Sequence, residues 1–296
     1  MRNTIMILDS LRRCSVRTVG YAELVTTLAV KPVSALTVLD DEVYVAQSTS
    51  HDIDVFDVDS LSLRRRMTIV SVQRTLLTVV SFGRAAGISV TDMTSCRRHN
   101  CLYVADECGG VVRRLDRTNA KQVTQWSAGG VSPAGLSMTN RSNILVCCSD
   151  STSLRIYTPL GCPVCQINIQ LPGVTGLVCS VQLACGSFVV IGVTASGNRL
   201  ACVCRNSVDL PDLIDSSGCP TYVALVGGRG GSQVWLAERG ASAGIRMVQL
   251  PASRCVVKFP TVEVQEPDKM CWDENDRRLY VIDHGLLKVF RVRIKP

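Results

Sequence analysis

Six times along the chain an apolar run, a short polar turn and a second β-rich run recur in that order. The units are EVYVAQSTSHDIDVFDVDS (42–60), CLYVADECGGVVRRLDRTN (101–119), NILVCCSDSTSLRIYTPLG (143–161), SFVVIGVTASGNRLACVCR (187–205), QVWLAERGASAGIRMVQLP (233–251) and RLYVIDHGLLKVFRVRIKP (278–296). Their starts lie 59, 42, 44, 46 and 45 residues apart. One unit cannot bury both of its apolar faces, so copies must stack on each other. A period of about 40–50 residues made of strands, without helical periodicity, predicts an all-β, six-bladed β-propeller of four-stranded antiparallel blades.

Each unit supplies the second and third strands, B and C, of a blade. The first strand, A, falls at 34–39, 134–139, 175–180, 220–226 and 268–273. The fourth, D, falls at 62–69, 122–127, 163–170 and 254–259, with 207–214 in the fourth blade. The sixth unit ends the chain at strand C. The segment AELVTTLAV (22–30) is expected to supply its missing D strand, because an open ring would leave two unpaired edges. Residues 1–296 then form one propeller, with repeats over 33–296 and an insertion around 70–90, centred on RTLLTVVSFGRAAG (74–87).

The composition fits a packed interior. Apolar residues make up 46% of the 296 positions, and aromatics only 5%. The net charge of +7 is modest for this length and is no polybasic signature. There is no run of about 18 uncharged apolar residues, so no transmembrane helix and no membrane partner are expected. The apolar run Ile5 to Leu8 is too short for a signal-peptide core of about 7–15 residues. We expect a cytoplasmic chain, or an internal piece of a larger product. Fifteen cysteines, an odd number, argue against a disulfide framework in such a chain. Most lie in apolar runs and read as small buried hydrophobes.

The unit LYVADECGGVVRRLD (102–116), with LYVIDHGLLKVFRV beside it, resembles the NHL repeat. In that repeat a "LYVAD, short turn, apolar, Arg/Lys, Asp" pattern forms strands B and C. The resemblance covers roughly residues 33–296 and implies a six-bladed propeller. NHL propellers end tripartite-motif ubiquitin ligases, where they bind proteins or RNA. They also form a zinc-dependent peptide-amidating lyase, and related six-bladed folds include calcium-dependent lactonases. Fold does not choose among these roles.

The enzyme roles fit the residues poorly. A catalytic zinc needs three converging ligands, and the chain has three histidines. His51 and His284 fall in B–C turns on one face, whereas His99 falls in an A–B turn on the other. Cys162 and Cys165 form a lone CxxC without a partner motif. Cys96 and Cys101 flank a hairpin turn, where a disulfide is geometrically feasible. Asp106, Asp150 and Asp283 recur at the ends of B strands and are expected to hydrogen-bond the B–C turns. No catalytic residue, metal or cofactor is assigned.

The binding roles are sorted by face. The A–B turns carry Arg97, Arg98, Arg141, Arg229, Arg277 and Arg278, a candidate anion-contact surface. Arg64–Arg66 open an outer strand and read as a solvated edge. The B–C turns look acidic to neutral and hold almost no aromatics, which disfavours RNA. We therefore expect a monomeric, non-catalytic module binding a protein or peptide. Its candidate partner face is His51, Asp52, Glu107, Ser151, Glu238, Arg239 and His284. RNA binding ranks second, and a divergent metal-dependent lyase or lactonase third.

Overall fold

Strands buried on both faces read as continuous apolar runs, because neither side meets water. The computed structural model of the chain shows this for each unit. It describes residues 20–69, 88–169, 173–194, 197–203, 221–227, 233–240, 243–249, 256–258 and 264–294. Strand β1 (Gly20–Ala29) precedes the first blade, formed by β2 (Val33–Leu39), β3 (Glu42–Gln47), β4 (Asp52–Asp57) and β5 (Leu63–Thr68). The second blade is β6 (Val90–Cys96), β7 (Cys101–Asp106), β8 (Val111–Asp116) and β9 (Gln122–Ser127). The third is β10 (Pro133–Met138), β11 (Ile144–Cys148), β12 (Ser151–Tyr157) and β13 (Pro163–Asn168). A three-stranded sheet follows: β14 (Val174–Gln182), β15 (Phe188–Thr194) and β16 (Gly197–Val203). The next blade is β17 (Thr221–Gly227), β18 (Gln233–Arg239), β19 (Gly244–Gln249) and β20 (Val256–Lys258). The last contains β21 (Pro267–Asp273), β22 (Arg278–Asp283) and β23 (Leu286–Ile294).

Five sheets are thus four-stranded, since β1 lies antiparallel along β23 from Gly20↔Ile294 to Ala29↔Leu286. The expected outer strand at 207–214 and the insertion at 74–87 lie outside the described residues, as do residues 1–19 and Arg229. The inner strands follow one another around a circuit. β2 packs on β6, β6 on β10, β10 on β14, β14 on β17, β17 on β21, and β21 returns to β2.

The core consists of apolar layers between successive sheets. In β7, Leu102 and Val104 enter the layer shared with the β2–β5 blade. Tyr103 and Ala105 enter the layer shared with the β10–β13 blade. The period of two along a strand therefore feeds two different interfaces. Burying a side chain such as Leu102 or Val104 completely is worth about 1.5–3 kcal/mol. Two glycines permit the closest backbone approaches. A Cβ on Gly135 would strike the carbonyl of Val178, and one on Gly176 the carbonyl of Ser149.

A buried ion pair recurs across the B–C hairpins. Asp106 and Asp283 close their B strands opposite Val111 and Leu286, and Glu238, one residue before the end of its own, pairs with Gly244. Each meets a base two residues further along strand C. These bases are Arg113 at 2.6 Å, Arg246 at 2.7 Å and Lys288 at 2.6 Å. The aspartates also reach beyond their own turns. Asp106 accepts from Ser89 N at 3.0 Å and Gly109 N at 3.2 Å, and Asp283 from Glu266 N at 2.6 Å. They tie the loop entering strand A to the B–C hairpin, a wider role than bracing the turn alone. Asp150 is not equivalent: Cys148 and Ser151 pair around it. From its turn it accepts from Ser132 N at 3.2 Å.

Candidate functional site

The B–C turns and the D–A loops share one face, because strands A and C run in one direction and B and D in the other. His51, Glu107 and His284 are exposed there, whereas Asp52, Ser151 and Arg239 are half-buried. Glu238 does not belong to this surface. It is 1% exposed and turned inward to Arg246. Asp52 accepts from Thr68 Oγ1 at 2.7 Å, and Ser151 Oγ accepts from Ser153 N at 3.2 Å. Arg239 donates to Pro267 O at 2.9 Å and pairs with Asp268 at 3.1 Å. His284 sits in a two-residue turn with Gly285, both at positive φ (51° and 73°), as a type I′ hairpin requires. Its Nδ1 lies 3.7 Å from Glu266 Oε2. Of the three acids expected on this face, Asp52 and Glu238 are bonded within the protein and Glu107 is exposed.

The opposite face carries a charge network. Arg97 lies 3.3 Å from Asp40 and 3.6 Å from Asp273. Arg278 reaches Asp59 at 2.6 Å, and Arg117 pairs with Asp40. Arg98, Arg141 and Arg277 are exposed and have no carboxylate partner among the described residues. The Arg64–Arg66 edge is not simply solvated. Arg64 pairs with Asp41 at 2.6 Å and with Asp57, Arg65 with Glu42, and Arg66 with Asp54 at 2.6 Å. The strand thereby neutralises the acids of its own blade.

Glu42 is one of the buried acids of this network. Burial alone would push its carboxyl up. Bonds from Arg65 and Tyr44, with the charges of Arg65 and Arg117, outweigh burial and hold it down at about 2. A depressed folded value contributes stability above the unfolded value, and that stability is lost as pH falls through the folded one. The blade should therefore weaken between about pH 4.5 and pH 2. In a series of urea midpoints across this range, Glu42→Gln should flatten the acid limb. Identical slopes for both proteins would rule out this role.

The histidines separate as their turns imply. His99 lies in the A–B turn, its Nδ1 3.1 Å from Cys96 Sγ. Among the described residues, no group of three His, Cys, Asp or Glu is arranged to hold a metal. Cys96 and Cys101 face each other in register, both as free thiols, and burial pushes the Cys96 thiol up. Cys162 and Cys165 are exposed and free.

The inner strands enclose a central cavity of about 360 Å³. Its wall is stitched by bonds between neighbouring strands. Ser95 Oγ donates to Val38 O at 2.6 Å, and Thr91 Oγ1 to Pro133 O at 2.7 Å. Three charged side chains line this wall: Glu274 in the A–B turn after β21 and, on the strands themselves, Asp92 of β6 and Lys269 of β21. Neither of the two strand residues was singled out from the sequence. β6 itself was missed, since VTDMTSC buries only Val90, Met93 and Cys96 and shows no alternation. The signal was present in the period: the long first interval must still contain one A strand.

No helix among the described residues is long and apolar enough to cross a membrane. No family model matches the chain, and no curated protein matches it. Solved structures do. Hydrazine synthase of Kuenenia stuttgartiensis aligns at TM-score 0.60 and 11% identity, over 88% of this chain and 76% of that one. The β-propeller domain of Cps50 (Swd1) from Myceliophteria thermophila aligns at TM-score 0.61 and 10% identity, over 92% and 100%. A streptogramin B lyase aligns at TM-score 0.57 and 9% identity, over 93% and 98%. At such identities the likeness concerns the fold alone, and the chain is an all-β propeller of four-stranded antiparallel blades.

Proposed function

We propose that the chain is a six-bladed, NHL-like propeller that serves as a non-catalytic protein-interaction module. In this reading β14–β16 is the remaining blade, because β14 takes its place in the circuit between β10 and β17. The partner is a protein or peptide, held on the face of the B–C turns and D–A loops. One contrast carries the choice of face. Arg97, Arg117 and Arg278 on the A–B side are engaged by carboxylates within the ring, whereas His51, Glu107 and His284 project from turns of unlike sequence. Turns that vary on a rigid frame suit recognition.

Peptides selected from a displayed library against the intact chain test this. Binding should fall at least tenfold in a variant carrying His51→Ser, Glu107→Ser and His284→Asn, in which asparagine keeps the positive φ at 284 tolerable. It should persist in a variant carrying Arg98→Ser, Arg141→Ser and Arg277→Ser. RNA binding that drops steeply with salt and vanishes in the arginine variant would overturn the proposal in favour of RNA. Stoichiometric zinc or calcium in the purified protein would overturn it in favour of an enzyme.

A further inference from the structure

The six inner strands begin alike, and five of them share a register shift after the first pairing with strand B. β17 has its shift one pairing later, between Tyr222 and Ala224. The residue beyond the shift is Ala35, Asp92, Gly135, Gly176, Ala224 and Lys269 in turn around the ring. Four of the six are Ala or Gly. The other two are a carboxylate and an ammonium, separated by the blade that carries Ala35. Both lie near the end of the cavity that opens on the B–C face.

Each charge is only partly satisfied by the protein. Asp92 Oδ2 accepts from Leu136 N at 2.7 Å, and Lys269 Nζ donates to Thr91 O at 2.8 Å. The two make no direct ion pair. An enclosed charge without a counter-charge in contact is costly. Burial also pushes the Asp92 carboxyl up, and Lys269 draws it part of the way back. A purely structural pair would be expected to close, because contact is where its Coulomb energy is largest. Here Lys269 instead rests on the carbonyl of the residue next to Asp92, and the cavity that both line, about 360 Å³, lies within the small-ligand range of about 300–1,000 Å³. The hydroxyl of Ser137, also in this wall, has no hydrogen-bond partner among the described residues.

We propose that the central cavity binds a small zwitterion, with its ammonium on Asp92 and its carboxylate on Lys269. This site opens toward the partner face but shares no residue with it, so the two proposals fail separately.

The test is calorimetric titration of the intact chain with the ω-amino acids from glycine to 6-aminohexanoate, with propylammonium and propionate as single-charge controls. One chain length should bind at 1:1, at least tenfold more tightly than either control. Asp92→Asn and Lys269→Met should each weaken it at least tenfold. Three results would overturn the proposal: no member of the series binds, a single-charge control binds as tightly as the best zwitterion, or both variants bind unchanged. If a variant fails to fold, the comparison of zwitterion with controls on the unaltered protein still decides.

Discussion

Replacing Asp106 by alanine should destabilise the propeller by about 3–5 kcal/mol, the cost of stranding a buried charge. The side chain of Asp106 is 1% exposed and that of Arg113 is 8% exposed. Without the carboxylate, the guanidinium keeps only the amide oxygens of Gln122 and Gln125, at 2.6 and 2.8 Å. The N–H groups of Ser89 and Gly109 lose an acceptor at the same time. The double variant Asp106→Leu with Arg113→Met should recover much of the loss, because an apolar pair carries no desolvation penalty. Urea unfolding at unchanged m measures both. A loss below about 1 kcal/mol for Asp106→Ala would mean that Arg113 finds another partner or water.

The second large effect concerns closure. Deleting residues 20–29 removes β1 and leaves β23 with a bare edge. The apolar layers lose Ala22, Leu24 and Leu28, which pack on both sides of the last blade. Exposed strand edges template association. The truncated chain is therefore expected to aggregate, or to lose its cooperative melting transition. The synthetic peptide GYAELVTTLA, supplied in trans, should restore a soluble monomer by size exclusion. A truncated chain that melts within a few degrees of the intact one would show that β1 does not hold the ring closed.

The sequence-based reading and the structure part company at particular residues. Glu238 was expected on the partner face, yet it occupies the strand position of Asp106 and Asp283. A shift of one residue along a strand exchanges surface for interior, and the fifth unit's longer B strand conceals that shift. Asp150 erred the other way, being a turn residue mistaken for a strand end. Arg64–Arg66 read as a solvated edge because their acids, Asp41, Glu42, Asp54 and Asp57, lie up to 23 residues away on other strands and in the turn between β2 and β3.

By itself the sequence determined the repeat, the strand type and the layout of the blades, because apolar periodicity and turn residues are local properties. It also marked AELVTTLAV as a strand seeking a partner. Only the tertiary structure decided which charges are spent inside the ring. It alone brought Asp92 and Lys269, far apart in the chain, to one cavity wall. Such pairings depend on ring closure and strand register, which are properties of the assembled sheets.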